Sequence, residues 1–310
     1  MGSTAVREGV ILVTGGAGFI GANLIPGLLS AHPEDRIVSV DSYATGSPAN
    51  HVMDERVTYL SGSTSDIVEL WGRHEVVSPH TVYHLGEYSR IAQSFDEPDR
   101  VWESNLLGTK EIVRFCLEHG ARLVYAGSSS KFGNSGQDEN LSPYAWTKAK
   151  NVEYIRNMGS WYGLDFVITY FYNVYGPRQI STGRYATVIG IFEEQLRAGR
   201  PLTVVEPGTQ TRDFTHVDDI VDGILVCAAK GEGDGYLLGS GVEHRLVDVA
   251  RMFGGVVEMI PRRRGERLRS RADSLKAREL GWIPKRELVS YIAELREGLS
   301  VEVRAVAKSR

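Results

Sequence analysis

Apolar residues in this chain gather first into short, nearly unbroken runs rich in β-branched side chains: Val10–Thr14, Arg36–Asp41, Val57–Leu60, Thr81–Leu85, Arg122–Ala126 and Phe166–Tyr170. Between them apolar positions recur at helical spacing, and the two longest such stretches, Asp99–His119 and Pro143–Tyr162, contain no proline after their first residue. Continuous apolar strands alternating with helices predict a parallel sheet covered on both faces. Beyond Tyr170 the rhythm breaks. Gly176-Pro177, Gly199 to Pro201 and Glu206-Pro207-Gly208 punctuate shorter elements, and a basic tract, Arg262–Arg271, precedes a terminal helix. The expected architecture is α/β, a doubly wound parallel sheet over residues 1–172 to which 214–240 return. Residues 173–213 and 241–310 form a smaller C-terminal lobe at the carboxyl edge, placed to bind substrate.

Composition narrows the function. With 310 residues, 42% of them hydrophobic, the chain can bury a full core. A formal charge of -4 gives no broad positive field, so neither nucleic acid nor an anionic membrane is an expected partner. The run Val10–Thr14 is far too short to span a bilayer and leads directly into glycines, which favours a cytoplasmic protein. Cys116 and Cys227 stand far apart, each within an apolar helical pattern, as reduced core thiols do; no metal is expected.

The chemistry begins after the first strand. Glycines 15, 18 and 21 in Thr14-Gly-Gly-Ala-Gly-Phe-Ile-Gly21 lie between a strand and a helix, where Gly15 permits a tight turn, Gly18 lets backbone approach a pyrophosphate and Gly21 permits close helix packing. This is a Rossmann-type dinucleotide site. Asp41 ends the second strand, where a carboxylate accepts from both ribose hydroxyls and repels a 2′-phosphate, so NAD is favoured over NADP. Tyr144 and Lys148 are four residues apart in a helix and therefore share a face, so that the ammonium can lower the pKa of the phenol. Ser128, the first of three consecutive serines, follows the strand ending at Ala126 and can hydrogen-bond a reacting oxygen.

Thr14–Gly21, Ser128, Tyr144-x-x-x-Lys148, Asn173–Gln179 (NVYGPRQ) and Thr211–Phe214 (TRDF) together resemble the NAD-dependent sugar epimerase/dehydratase family of extended short-chain dehydrogenases, over nearly the whole chain. The resemblance implies that Ser128 and Tyr144 hold the sugar 4-hydroxyl, that Tyr144 takes its proton while NAD oxidises C4, and that Lys148 binds the nicotinamide ribose. It adds Phe19, Ile20, Ser63, Thr64 and Leu85 to the NAD contacts. It also implies a UDP-sugar substrate, held by Ser89, Asn173, Arg178 and Arg212 with Arg263 or Arg269 assisting, and a homodimer formed through the helices around Val101–Cys116 and Trp146–Trp161.

The departures bear on the reaction. The Asp-Glu pair that follows the serine position in 4,6-dehydratases is Ser129-Ser130 here, whereas Glu87 and Lys131 stand where 4-epimerases carry small or apolar residues. If both face the sugar, Glu87, or Tyr88 beside it, and Lys131 make an alternative acid-base set for removing the C5 proton and the C6 hydroxyl. The outcome is a 5,6-unsaturated sugar nucleotide. The resemblance to the UDP-N-acetylglucosamine 5,6-dehydratase branch, known from tunicamycin biosynthesis, points the same way. The alternative is a UDP-hexose or UDP-N-acetylhexosamine 4-epimerase in which Glu87 and Lys131 are structural.

Overall fold

The computed structural model describes residues 9–74, 77–135, 138–265 and 267–308. The chain opens with β1 (Val10–Thr14), α1 (Phe19–Ala31), β2 (Arg36–Asp41), β3 (Val57–Ser61), α2 (Ile67–His74) and β4 (Thr81–His84). Next come α3 (Pro98–Val101), a π-helical stretch (Trp102–Leu107) and α4 (Gly108–His119), then β5 (Arg122–Ser128), α5 (Pro143–Tyr162) and β6 (Phe166–Phe171). The second part runs β7 (Val174–Tyr175), α6 (Val188–Arg197), β8 (Leu202–Val205), β9 (Thr211–Asp213), β10 (Thr215–His216), α7 (Val217–Lys230) and β11 (Gly233–Leu238). It closes with β12 (Glu243–Arg245), α8 (Leu246–Phe253), β13 (Val257–Ile260), α9 (Leu275–Glu279) and α10 (Leu288–Lys308).

Seven strands form one parallel sheet in the order β11-β6-β5-β4-β1-β2-β3. Both faces of β1 are buried, which is why its sequence is a solid apolar run rather than an alternating one. On one face Trp71, Phe115 and Ile155 bring α2, α4 and α5 onto the strands; on the other, Leu24, Ile224 and Trp282 bring α1, α7 and the segment after α9. A separate core joins Phe192, Leu202, Phe253 and Ile292, holding α6, α8 and α10 together beside the carboxyl edge of the sheet. Cys116 and Cys227 are buried free thiols. Among the described residues no helix is long and apolar enough to cross a membrane.

Two local features matter for the site. The segment expected as one helix over Asp99–His119 contains the π-helical insertion, which turns Ser104 and Asn105 inward so that both accept from the Tyr88 backbone N–H at 3.0 and 2.8 Å. In α1, Pro26 lacks the N–H that would bond the Ala22 carbonyl, and the guanidinium of Arg178 donates to that carbonyl at 2.8 Å instead.

Candidate active site

Connections from β1 and β4, neighbours at the middle of the sheet, leave in opposite directions, and a crevice opens beyond their carboxyl ends. It is a cleft of about 710 Å³. Gly15 (φ +75) and Gly21 fix one end: a Cβ on Gly15 would meet the Gly86 backbone at 2.9 Å, and one on Gly21 would meet the Gly15 carbonyl oxygen at 2.2 Å. Gly18 caps α1 without any side-chain hydrogen bond, leaving the first N–H groups of the helix facing the cleft, where they suit an anion. Asp41 is 7% exposed; Oδ2 accepts from the Ala17 N–H at 2.9 Å and Oδ1 from the Tyr43 N–H at 2.8 Å. Burial raises its pKa, against the pull of those amides. The Gly18 amide also bonds this carboxylate, which leaves lone-pair capacity for a ribose hydroxyl. Phe19, Ile20, Ser63, Thr64 and Leu85 line the same half, and these residues fit a dinucleotide.

At the centre, Ser142 accepts from the Ala145 N–H at 3.1 Å and Pro143 occupies the first turn, which fixes where α5 begins. Tyr144 and Lys148 thereby face the cleft together, 8% and 5% exposed. Ser128, the last residue of β5, hydrogen-bonds Tyr144 and accepts from the Ser130 amide and hydroxyl. Burial pushes the Tyr144 phenol above its usual pKa, while the Ser128 hydroxyl and the Arg90 and Arg267 guanidinium groups pull it down. Lys148 Nζ donates to Glu87 Oε2 and to the Ala126 carbonyl. Burial lowers the pKa of this ammonium, and the carboxylate it touches acts in the opposite sense.

The other half departs from expectation. Glu87, Tyr88, Ser89 and Asn173 line the cleft. Glu87, however, is only 2% exposed and accepts from Thr109, Tyr125, Asn151 and Lys148. Lys131 does not face the sugar side. The 3-10 helix of Ser129–Ser135 carries it round to a charged groove with Glu139, Lys150 and Glu153 on the outer face of α5. Arg178 is turned to α1, where Pro26 has freed a carbonyl. Arg212 donates to the carbonyls of Thr211 and Arg267 and holds the basic tract by its backbone. Arg263 is exposed, and Arg269 is 77% exposed and paired with Glu243. None of these five arginine and lysine side chains lines the cleft.

Three residues that sequence reasoning passed over do. Arg267, 6% exposed, donates to the Ser129 carbonyl at 2.7 Å; Arg90 Nε donates to the Tyr185 carbonyl at 2.7 Å; and Tyr185 donates to Glu97 at 2.8 Å, as Tyr88 does at 2.6 Å. The basic tract has neither helical nor strand periodicity, so no pattern marks which of its arginines turns inward. Among the described residues no cluster of His, Cys, Asp or Glu could hold a metal ion.

The chain is similar to known proteins over nearly its whole length. The UDP-glucose 4-epimerase of Mycolicibacterium smegmatis is 33% identical over 303 residues, covering 91% of this chain and 96% of that protein. The structure of the UDP-glucose 4-epimerase of Thermotoga maritima with UDP-glucose has a TM-score of 0.85 at 26% identity, covering 95% and 99% of the two chains. That of the dTDP-glucose 4,6-dehydratase of Streptomyces venezuelae with NAD bound has 0.84 at 28%, covering 96% and 98%. The profile of the NAD dependent epimerase/dehydratase family matches residues 11–239. The cofactor is NAD, and the chain is a member of the NAD dependent epimerase/dehydratase family.

Proposed function

We propose that this enzyme is a UDP-hexose or UDP-N-acetylhexosamine 4-epimerase working through a transient 4-ketone. Bound NAD supplies the reversible oxidation at C4. Ser128 holds the 4-hydroxyl, and Tyr144, its phenol under the pull of Arg90 and Arg267, accepts the proton and later returns it. Arg267 and Asn173, with Ser89, contact the nucleotide diphosphate side of the substrate. UDP as the nucleotide rests on the likeness to UDP-glucose 4-epimerases.

The observation that carries epimerisation over elimination is the fate of the acid-base set. Ser129 and Ser130 bear no carboxylate, Lys131 lies outside the cleft, and Glu87 is saturated by its own neighbours. The reading of UDP-N-acetylglucosamine 5,6-dehydration keeps one supporting observation. Tyr88 lines the cleft with its hydroxyl on the Glu97 carboxylate at 2.6 Å, and burial together with that carboxylate holds the phenol protonated, as an acid for the C6 hydroxyl must be. A proton NMR time course with UDP-glucose and with UDP-N-acetylglucosamine separates the two. Growth of the galacto anomeric signal with C6 intact supports epimerisation, exocyclic vinyl signals support dehydration, and an unchanged spectrum from NAD-loaded enzyme overturns both.

The expected homodimer has support in Trp102, stacked on Trp146 at 5.0 Å between centroids yet 48% exposed, and in Leu107, 49% exposed nearby. A monomer in equilibrium sedimentation would refute it.

A further inference from the structure

We propose that Glu87 is a positioning residue whose buried carboxylate holds the Lys148 ammonium charged and fixed at the floor of the cleft. Four side chains from three elements converge on it. Thr109 Oγ1 (α4) donates to Oε1 at 2.6 Å and Asn151 Nδ2 (α5) at 2.7 Å; Tyr125 Oη (β5) lies 3.1 Å from both oxygens, and Lys148 Nζ (α5) takes Oε2. A carboxylate offers about four lone-pair sites, and these contacts fill them, so none is left to abstract a substrate proton. The arrangement also fixes the charge. Asn151 Nδ2 and Lys148 Nζ can only donate, and Thr109 donates to the carboxylate they share. Thr109 gives its one hydroxyl proton to Oε1 and so accepts from His84 Nε2–H at 2.9 Å, which leaves Nδ1 of the neutral ring to accept from Thr14 Oγ1 at 2.7 Å; Thr14 Oγ1 accepts in turn from the Gly86 N–H at 3.0 Å. The chain of donors begins beside the glycine loop and ends at Glu87.

The titratable groups around Lys148 are Glu87, His84, Tyr125 and Tyr144. His84 is wholly buried and held neutral, its pKa pushed down to about 3 by burial and by Lys148, and burial keeps the phenols of Tyr125 and Tyr144 protonated at rest. Among the described residues Glu87 is thus the counter-charge at the ammonium. Arg90 and Arg267 pull the Tyr144 phenol down, and Lys148 is drawn to the floor by Glu87.

The assignment of Tyr144 as base belongs to the proposed function, and the test is independent of it. Lysine labelled at Cε and Nζ is titrated by NMR in the NAD-loaded wild type and in Glu87→Gln, with the Lys148 signal identified by its loss in Lys148→Met. The expected result is a Lys148 pKa lower by about 1–3 units in Glu87→Gln, since that is what an adjacent opposite charge contributes. Glu87→Asp should recover part of the shift. Should Glu87→Gln fail to fold, Glu87→Gln/Lys148→Met, which removes both charges, is expected to melt higher than Lys148→Met alone, whose Glu87 is left unpaired. An unchanged Lys148 titration, or a double variant no more stable than Lys148→Met, overturns the proposal. Activity enters neither readout, so failure to turn over a UDP-sugar would count against the proposed function alone.

Discussion

The two halves of the cleft are built in different ways. The cofactor half comes from one continuous stretch, Gly15–Gly21, with Asp41 from the next strand, and its contacts are largely backbone: glycines whose Cβ has no room and amides that fix the aspartate. The other half is assembled from Ser89 and Arg90, Ser128, Asn173, Tyr185 and Arg267, far apart in the chain and joined by long side chains. A site carried by local backbone geometry announces itself in sequence. One carried by side-chain direction depends on how irregular segments fold over the sheet.

This contrast can be broken by substitution. Tyr144→Phe, at the meeting of the halves, is expected to lower kcat by about 10²- to 10⁴-fold, the usual worth of a proton-transfer group, with NAD affinity nearly unchanged in a fluorescence titration. In the cofactor half, Gly21→Val forces a Cβ to within 2.2 Å of the Gly15 carbonyl oxygen unless the loop moves. The cost should be about 1–3 kcal/mol, read as NAD affinity weakened by roughly tenfold to a hundredfold.

Two arginines of the basic tract, Arg267 lining the cleft and Arg269 outside it, should part company. Arg267→Ala removes a buried charged donor and should raise KM by roughly ten- to a hundredfold, whereas Arg269→Ala, on a surface ion pair, should change it by less than about fivefold. The pH profile sharpens the point. Arg267 pulls the Tyr144 pKa down, and a base works only above its pKa, so Arg267→Ala should also move the acid limb of kcat to higher pH. Equal effects from both arginines would return the tract to a diffuse electrostatic role. Smallest on catalysis is Arg178→Ala. It should lower stability by about 1–3 kcal/mol in urea unfolding, by leaving the Ala22 carbonyl unpaired, with KM unaltered; Pro26→Ala in the same chain should recover much of that loss.

The sheet was legible because fully buried parallel strands must be apolar throughout. Six of its seven strands were found in the sequence within two residues at each end, β5 running to Ser128 beyond the expected Ala126. The π-helical turn at Trp102–Leu107 was not legible, since one extra residue per turn leaves the apolar period almost intact while re-aiming Ser104 and Asn105. Lys131 was misplaced because the 3-10 helix after β5 changes which side chains face the cleft. Arg178 was assigned to substrate by the family resemblance, whereas in the structure it serves Pro26, whose missing N–H is visible in sequence but whose partner is brought near only by folding. Glu87 lines the cleft as expected, but not in one acid-base set with Lys131: the cation it meets is Lys148.

Transient oxidation at C4 is the centre of the account, and both readings of the product share it. UDP-sugar carrying deuterium at C4 should be converted to product that retains the label at C4 in protonated buffer, because the atom removed from C4 returns to it without exchanging with water. Product with protium at C4, or a reaction rate and product that persist unchanged in Tyr144→Phe, would contradict the account.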